Sequence, residues 1–115
     1  MKEYLAIFLG TKEAMDAWKA MDETTRKEKE RVGMEAWMKW TIDNKDVIVS
    51  GAPLGKTKSV STSGIVDTRN DMGAYSIVRA ESQEEAAKLF IDHPHFMIFP
   101  GDRVEIMECL PIPKM

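Results

Sequence analysis

The chain has 115 residues, 43% of them apolar and 30% charged, with a net charge of −3, the make-up of one soluble globular domain. The mixed, slightly acidic charge excludes the clustered basic face that nucleic-acid binding needs. No apolar run approaches the ~18 residues that would span a membrane. A single cysteine, Cys109, excludes an internal disulfide, and the first residues show no cleavage site, so a cytoplasmic location is expected.

Tyr4 to Leu9 is continuously apolar and ends at Gly10, which predicts a strand covered on both faces. Thr11 can cap a helix whose face is Ala14, Ala17, Trp18 and Met21. The pattern breaks between Asp22 and Thr25. Thr25 with Glu28 then forms a plausible capping box for a helix running to about Asp43. Its buried stripe is expected to be Gly33, Trp37, Trp40 and Asn44, with Met34, Met38 and Thr41 alongside. Two separate helices and one kinked helix are both compatible with this pattern. Asp46 to Gly51 predicts the next strand, closed by the turn-forming GAPLG. Lys56 to Asp67 reads as a strand exposed on one face, with Gly64 offering a hairpin turn. Ala74 to Ala80 predicts another strand. Ser82 and Glu85 make the clearest capping box, opening a helix with the face Ala86, Leu89, Phe90 and His93. Pro94 is expected to stop it, and Arg103 to Leu110 is the last strand.

This order predicts an α+β domain with the ferredoxin-like split βαβ pattern, an antiparallel sheet with helices on one face. The other sheet face would then be bare and apolar, which implies a partner. A second copy joined about a two-fold axis, a homodimer, is the simplest one.

The segments GAYSIVRAESQEEAAKLFIDHPHF and GDRVEIMECLPIP resemble the C-terminal half of the YCII-related (DGPF-type) domain family. KEYLAIFLG and VIVSGAPL fit the same family, so the resemblance covers most of the chain as a single YCII-like domain over residues 1–115. It implies a ferredoxin-like domain that dimerises into an α/β barrel. The wider barrel group includes monooxygenase-like and muconolactone-converting enzymes, together with many members of no assigned activity. Two departures stand out. The DGPF signature is missing, its place being taken by Asp67 to Gly73. A His–Asp pair proposed for some compact members has its histidine in the N-terminal half, and this chain has none before His93.

The two histidines flank Pro94 in FIDHPHF. That is not the i, i+4 spacing of a helical ligand pair, and no cysteine or glutamate cluster stands beside them, so no metal site is expected. Histidine changes charge near neutral pH, which makes His95 and His93 the candidate proton carriers. By helical phase His93 falls in the last turn facing the sheet. There the helix C-terminus would favour its cation, and its plain reading is a helix-ending histidine. His95 lies beyond that helix and is freer to enter a cleft. Trp18, Trp37, Tyr75 and Arg79 are the candidate ligand-binding residues: the indoles for a flat ligand, Arg79 for a carboxylate by bidentate pairing. Core packing of the tryptophans and an Arg–Glu pair across strands are the alternatives. Cys109 has no activating neighbour, and the Gly-Lys-Thr of GAPLGKTKS lacks the spacing of a phosphate-binding loop. No cofactor is implied. Two function classes stay open: a protein that binds a small acidic or aromatic metabolite, and a cofactor-free lyase, isomerase or hydrolase of small acids or lactones.

Overall fold

The computed structural model describes residues 1–113. Among these described residues six strands and four helices follow in order: β1 (Lys2–Leu9), α1 (Lys12–Lys19), α2 (Glu23–Asp43), β2 (Ile48–Pro53), β3 (Thr57–Ser61), β4 (Gly64–Thr68), β5 (Met72–Ala80), α3 (Gln83–Lys88), α4 (Pro94–Met97) and β6 (Arg103–Glu108). Four strands form one sheet in the order β2-β5-β1-β6, with every neighbouring pair antiparallel. With helical crossovers between β1 and β2 and between β5 and β6, this is the ferredoxin-like split βαβ arrangement. The segment from Lys56 to Asp67 is a separate hairpin, β3 paired with β4. Gly64 adopts φ +110 at its turn, a backbone region that side chains rarely enter.

Alternation along the strands sorts the two faces. Tyr4, Ala6 and Phe8 of β1 and Val78 and Ala80 of β5 are buried against Ala86 and Phe90. Leu5, Ile7, Tyr75 and Ile77 fall on the opposite face and are only half-buried. The first strand is therefore covered on one face by its own chain, not on both. The reason is that every helix lies on the Phe8 side.

Helix boundaries follow their caps. Thr11 accepts the Ala14 N–H at 3.0 Å, and Ser82 accepts that of Glu85 at 3.1 Å. Two distinct helices occupy the region that the sequence left open. The second begins at Asp22, which accepts from Thr25 N–H at 3.1 Å, three residues before the expected cap. A carboxylate there also suits the positive end of the helix. Its buried stripe is present: Gly33 is fully covered and Trp37, Trp40 and Asn44 are half-buried, while Met34, Met38 and Thr41 remain exposed. The Trp40 indole N–H donates to the Leu89 carbonyl at 2.7 Å, tying α2 to the end of α3.

The FIDHPHF segment departs from the prediction. Helix α3 ends at Lys88, a turn follows, and Asp92 sits at φ 56 in the left-handed region. His93 is therefore not in a last helical turn. It is the N-cap of α4, and Pro94 opens that helix instead of ending the previous one. Proline suits this first position because its fixed φ is already helical and its missing N–H would have no partner there.

Candidate functional site

Small residues on one half of the sheet leave room beneath α2. Gly51, Pro53, Ala74 and Ser76 face the helices from β2 and β5. From α2, Glu30, Met34, Trp37 and Thr41 point back at them at helical spacing. Between the two layers lies a cavity of about 810 Å³. Its inner end is aromatic: Trp18 from α1, Trp37 from α2 and Phe99 from the loop after α4, with ring centroids 5.8 Å apart for Trp18–Phe99 and 6.1 Å for Trp37–Phe99. Arg69 and Asp71 border it from the turn before β5, joined by a 2.8 Å ion pair. Glu30 borders it from α2, 3.7 Å from Arg26. The chamber is thus apolar inside with both charge signs at its border.

His95 is part of the wall. Its Nε2 lies 2.7 Å from the Leu9 carbonyl, and a carbonyl can only accept, so Nε2 carries the hydrogen. The neutral ring then holds its lone pair on Nδ1. Burial draws the ring below the usual histidine range, while the carbonyls of Leu9 and Arg103 and the charge of Asp102 pull the other way. The neutral form therefore prevails at pH 7. The ring also rests on Gly101, where any Cβ would run into it. Glycine at this position is a requirement of close approach.

His93 lies behind this wall. It is 1% exposed, and its Nδ1 accepts the backbone N–H of His95 at 3.0 Å. Nε2 then carries its proton and finds no hydrogen-bond partner. Its neighbours are rings: Trp37 at 4.5 Å and Trp40 at 4.6 Å, both close to perpendicular, with Phe8 at 5.0 Å and Phe90 at 5.8 Å. Rings offer an N–H only weak acceptors, and burial without a charged partner disfavours the cation. Burial first, and then the nearby His95, lower His93 to about 4. The expected helix-stabilised cation is overturned, because the residue sits at the start of a helix and not at the end of one.

The structure brings Trp18, Trp37 and His95 together at one cavity. Tyr75 borders it through its strand. The pleat sends its ring to the opposite sheet face, where it pairs with Ile7. Arg79 stays away: it is exposed and lies 3.8 Å from Glu3 on the neighbouring strand, the cross-strand pair that was its alternative reading. His93 is buried and does not line the cavity. Sequence reasoning missed Met15, which it left off the face of its helix, and Phe99 and the segment from Arg69 to Gly73, which it took as plain turns. One signal was available: a glycine, Gly33, in the middle of a buried stripe marks close approach, and Phe99 is what approaches. Among the described residues, no three His, Cys, Asp or Glu side chains gather as a metal site, and no helix is long and apolar enough to cross a membrane.

No family model and no curated protein matches the sequence. Among solved structures, 5-chloro-2-hydroxyhydroquinone dehydrochlorinase from Burkholderia phenoliruptrix, in complex with 2,5-dihydroxybenzoquinone, superimposes with a TM-score of 0.55 over 91% of this chain and 90% of that one. The sequences are 14% identical, so the likeness is one of fold. What the two share is the ferredoxin-like α+β fold, an antiparallel sheet with helices on one face.

Proposed function

We propose that the chain is a YCII-like protein, one domain over residues 1–115, that binds a small aromatic metabolite with hydroxyl or acidic substituents. The cavity walled by Trp18, Trp37, Phe99 and His95 holds it, in each subunit of a homodimer joined through the open sheet face. The observation that carries this reading is the aromatic inner end with a neutral histidine in its wall. Flat rings stack on indoles, and one fixed imidazole supplies the polar contact that orients them. The complex of the fold neighbour with 2,5-dihydroxybenzoquinone supports a ligand of this class. Arg69 favours the aromatic over the purely acidic ligand, because Asp71 already occupies its guanidinium.

A thermal-shift and tryptophan-fluorescence screen tests it, with 2,5-dihydroxybenzoquinone, hydroxybenzoates and small lactones as probes. A compound that binds only the native state raises the Tm by mass action. We expect a hydroxylated ring to do so, and Trp37→Ala to weaken it about tenfold, the scale of a lost aromatic contact. His95→Ala should weaken it while leaving the fold intact. No shift with any probe would overturn the reading.

A second reading rests on His95 alone: a cofactor-free lyase, isomerase or hydrolase of small acids or lactones. With Nε2–H anchored on Leu9, the Nδ1 lone pair of a neutral imidazole is the form that a general base requires. Turnover of a bound probe that disappears in His95→Ala would favour it over binding alone.

A further inference from the structure

His95 owes its place in the cavity wall to contacts at both its ring and its backbone. The ring is held by the Leu9 carbonyl and by the flat surface at Gly101. The backbone N–H is held by His93 Nδ1 at 3.0 Å, the side-chain cap of a helix only four residues long. A helix that short has little to stabilise it beyond its ends. Two of the bonds that close it, from the N–H groups of Phe96 and Met97 to the His93 carbonyl, begin at the same residue, and those of Ile98 and Phe99 run to the Pro94 carbonyl.

We propose that buried His93 is the positioning residue of the cavity: by accepting the His95 N–H, its neutral ring holds α4 closed and sets the imidazole of His95 in the cavity wall. This rests on the reading that the cavity is the ligand site, but it concerns the protein without ligand. The chemistry makes the hold conditional. Once protonated, Nδ1 is a donor facing another donor, the His95 N–H, and the cap bond is lost. Among the described residues no carboxylate faces the ring to compensate the charge. The residues facing it are Phe8 from β1, Trp37 and Trp40 from α2 and Phe90 from the turn after α3, none of which ionises. Among the described residues, His95 is its titratable neighbour, and Asp92 beside it is exposed to solvent. A buried aromatic residue that only filled space would show no such dependence on protonation.

The test uses the ligand-free protein, so its failure is distinguishable from a failure of the binding proposal. Amide hydrogen exchange and the ring 15N shifts of both histidines are followed from pH 7 downwards, with the Phe8 amide of the central strand as reference. We expect the protection factor of the His95 amide to fall as His93 protonates, while Phe8 stays protected. Two variants separate hydrogen bonding from packing. His93→Phe fills the aromatic nest without an acceptor and should lower His95 protection at pH 7 by about fivefold, the size of a lost cap. His93→Asn keeps an acceptor that does not titrate and should retain the protection at every pH where the sheet is folded. Unchanged His95 protection in His93→Phe, or His93 protonating with no response at His95, would overturn the proposal. So would simultaneous loss at His95 and Phe8, because it would make His93 a general stabiliser and not a positioning group. Should His93→Phe fail to fold, the wild-type pH profile and His93→Asn decide alone.

Discussion

At the scale of one residue, His93 shows how burial converts a titratable group into a stability term. In the folded chain burial lowers it from the ordinary 6.5 to about 4, while in the unfolded chain it keeps the ordinary value. Between those two pH values the unfolded state binds the extra proton, so acid favours unfolding across that window. Above the window both states are neutral and the contribution is constant; below it both are charged and the loss is complete. The distance between the two values corresponds to about 3 kcal/mol, and pH 4.5 lies near the lower end of the window. Urea unfolding at pH 7 and at pH 4.5 checks this. The wild type should lose roughly 2–3 kcal/mol more than His93→Phe between the two conditions. His95 is lowered by burial as well, so the difference reports His93 together with its coupling to His95. Equal losses would mean that the imidazole charges without penalty in its aromatic nest.

At the scale of elements, Gly33 decides how closely α2 and the Phe99 loop approach. A Cβ built there would stand 2.5 Å from Phe99 Cε2. Alanine normally gains up to ~1 kcal/mol over glycine inside a helix, whereas overpacking a fitted site costs ~1–3 kcal/mol. The clash should win, leaving Gly33→Ala less stable by about 1 kcal/mol and the aromatic end of the cavity displaced. Adding Phe99→Ala removes the obstruction, so the two changes should combine to less than their sum. Denaturant melts of the two single variants and the double variant measure that coupling, and simple additivity would refute the contact. The same contact shows where sequence reasoning reaches and where it stops. The first strand was legible as a strand but its faces were not, because a continuously apolar run hides the alternation of the pleat that sets half-buried Leu5 and Ile7 opposite Tyr4 and Phe8. Caps at Thr11 and Ser82 were legible because they are local chemistry. The stretch from Leu89 to His95 misled because its apolar spacing suits a helix, whereas a left-handed Asp92 turns the chain and brings the buried ring of His93 to the same core by another route. Arg69 to Gly73 and Phe99 reach the cavity through tertiary packing of loops, and no local period records that.

At the scale of the molecule, two surfaces lack a partner among the described residues. The open sheet face carries Leu5, Ile7, Tyr75, Ile77 and Met107, in register across three strands through Leu5↔Ile77 and Leu5↔Met107. The β3–β4 hairpin stands away from the body with Val60 74% and Ile65 68% exposed. It stretches the longest dimension to 54 Å and the radius of gyration to 16.2 Å, against ~13 Å for a compact domain of this length. A two-stranded hairpin is marginal by itself, and a bare apolar sheet face is costly in water. A second copy placed face to face covers the sheet of both chains at once, which a smaller partner would not do symmetrically. Ile77→Lys sets a charge in the middle of that face without touching the Phe8 core on the other side. By analytical ultracentrifugation the wild type should sediment at twice the 13.0 kDa of the chain, and the variant at the mass of one chain with an unchanged far-ultraviolet spectrum. Because the cavity lies between the sheet and α2, on the other side of the sheet from Ile77, ligand binding should survive in the monomeric variant. A wild type that stays monomeric at tens of micromolar would remove the dimer and leave the cavity as it stands. A variant that loses both dimer and binding would show instead that association across the open face shapes the site behind it.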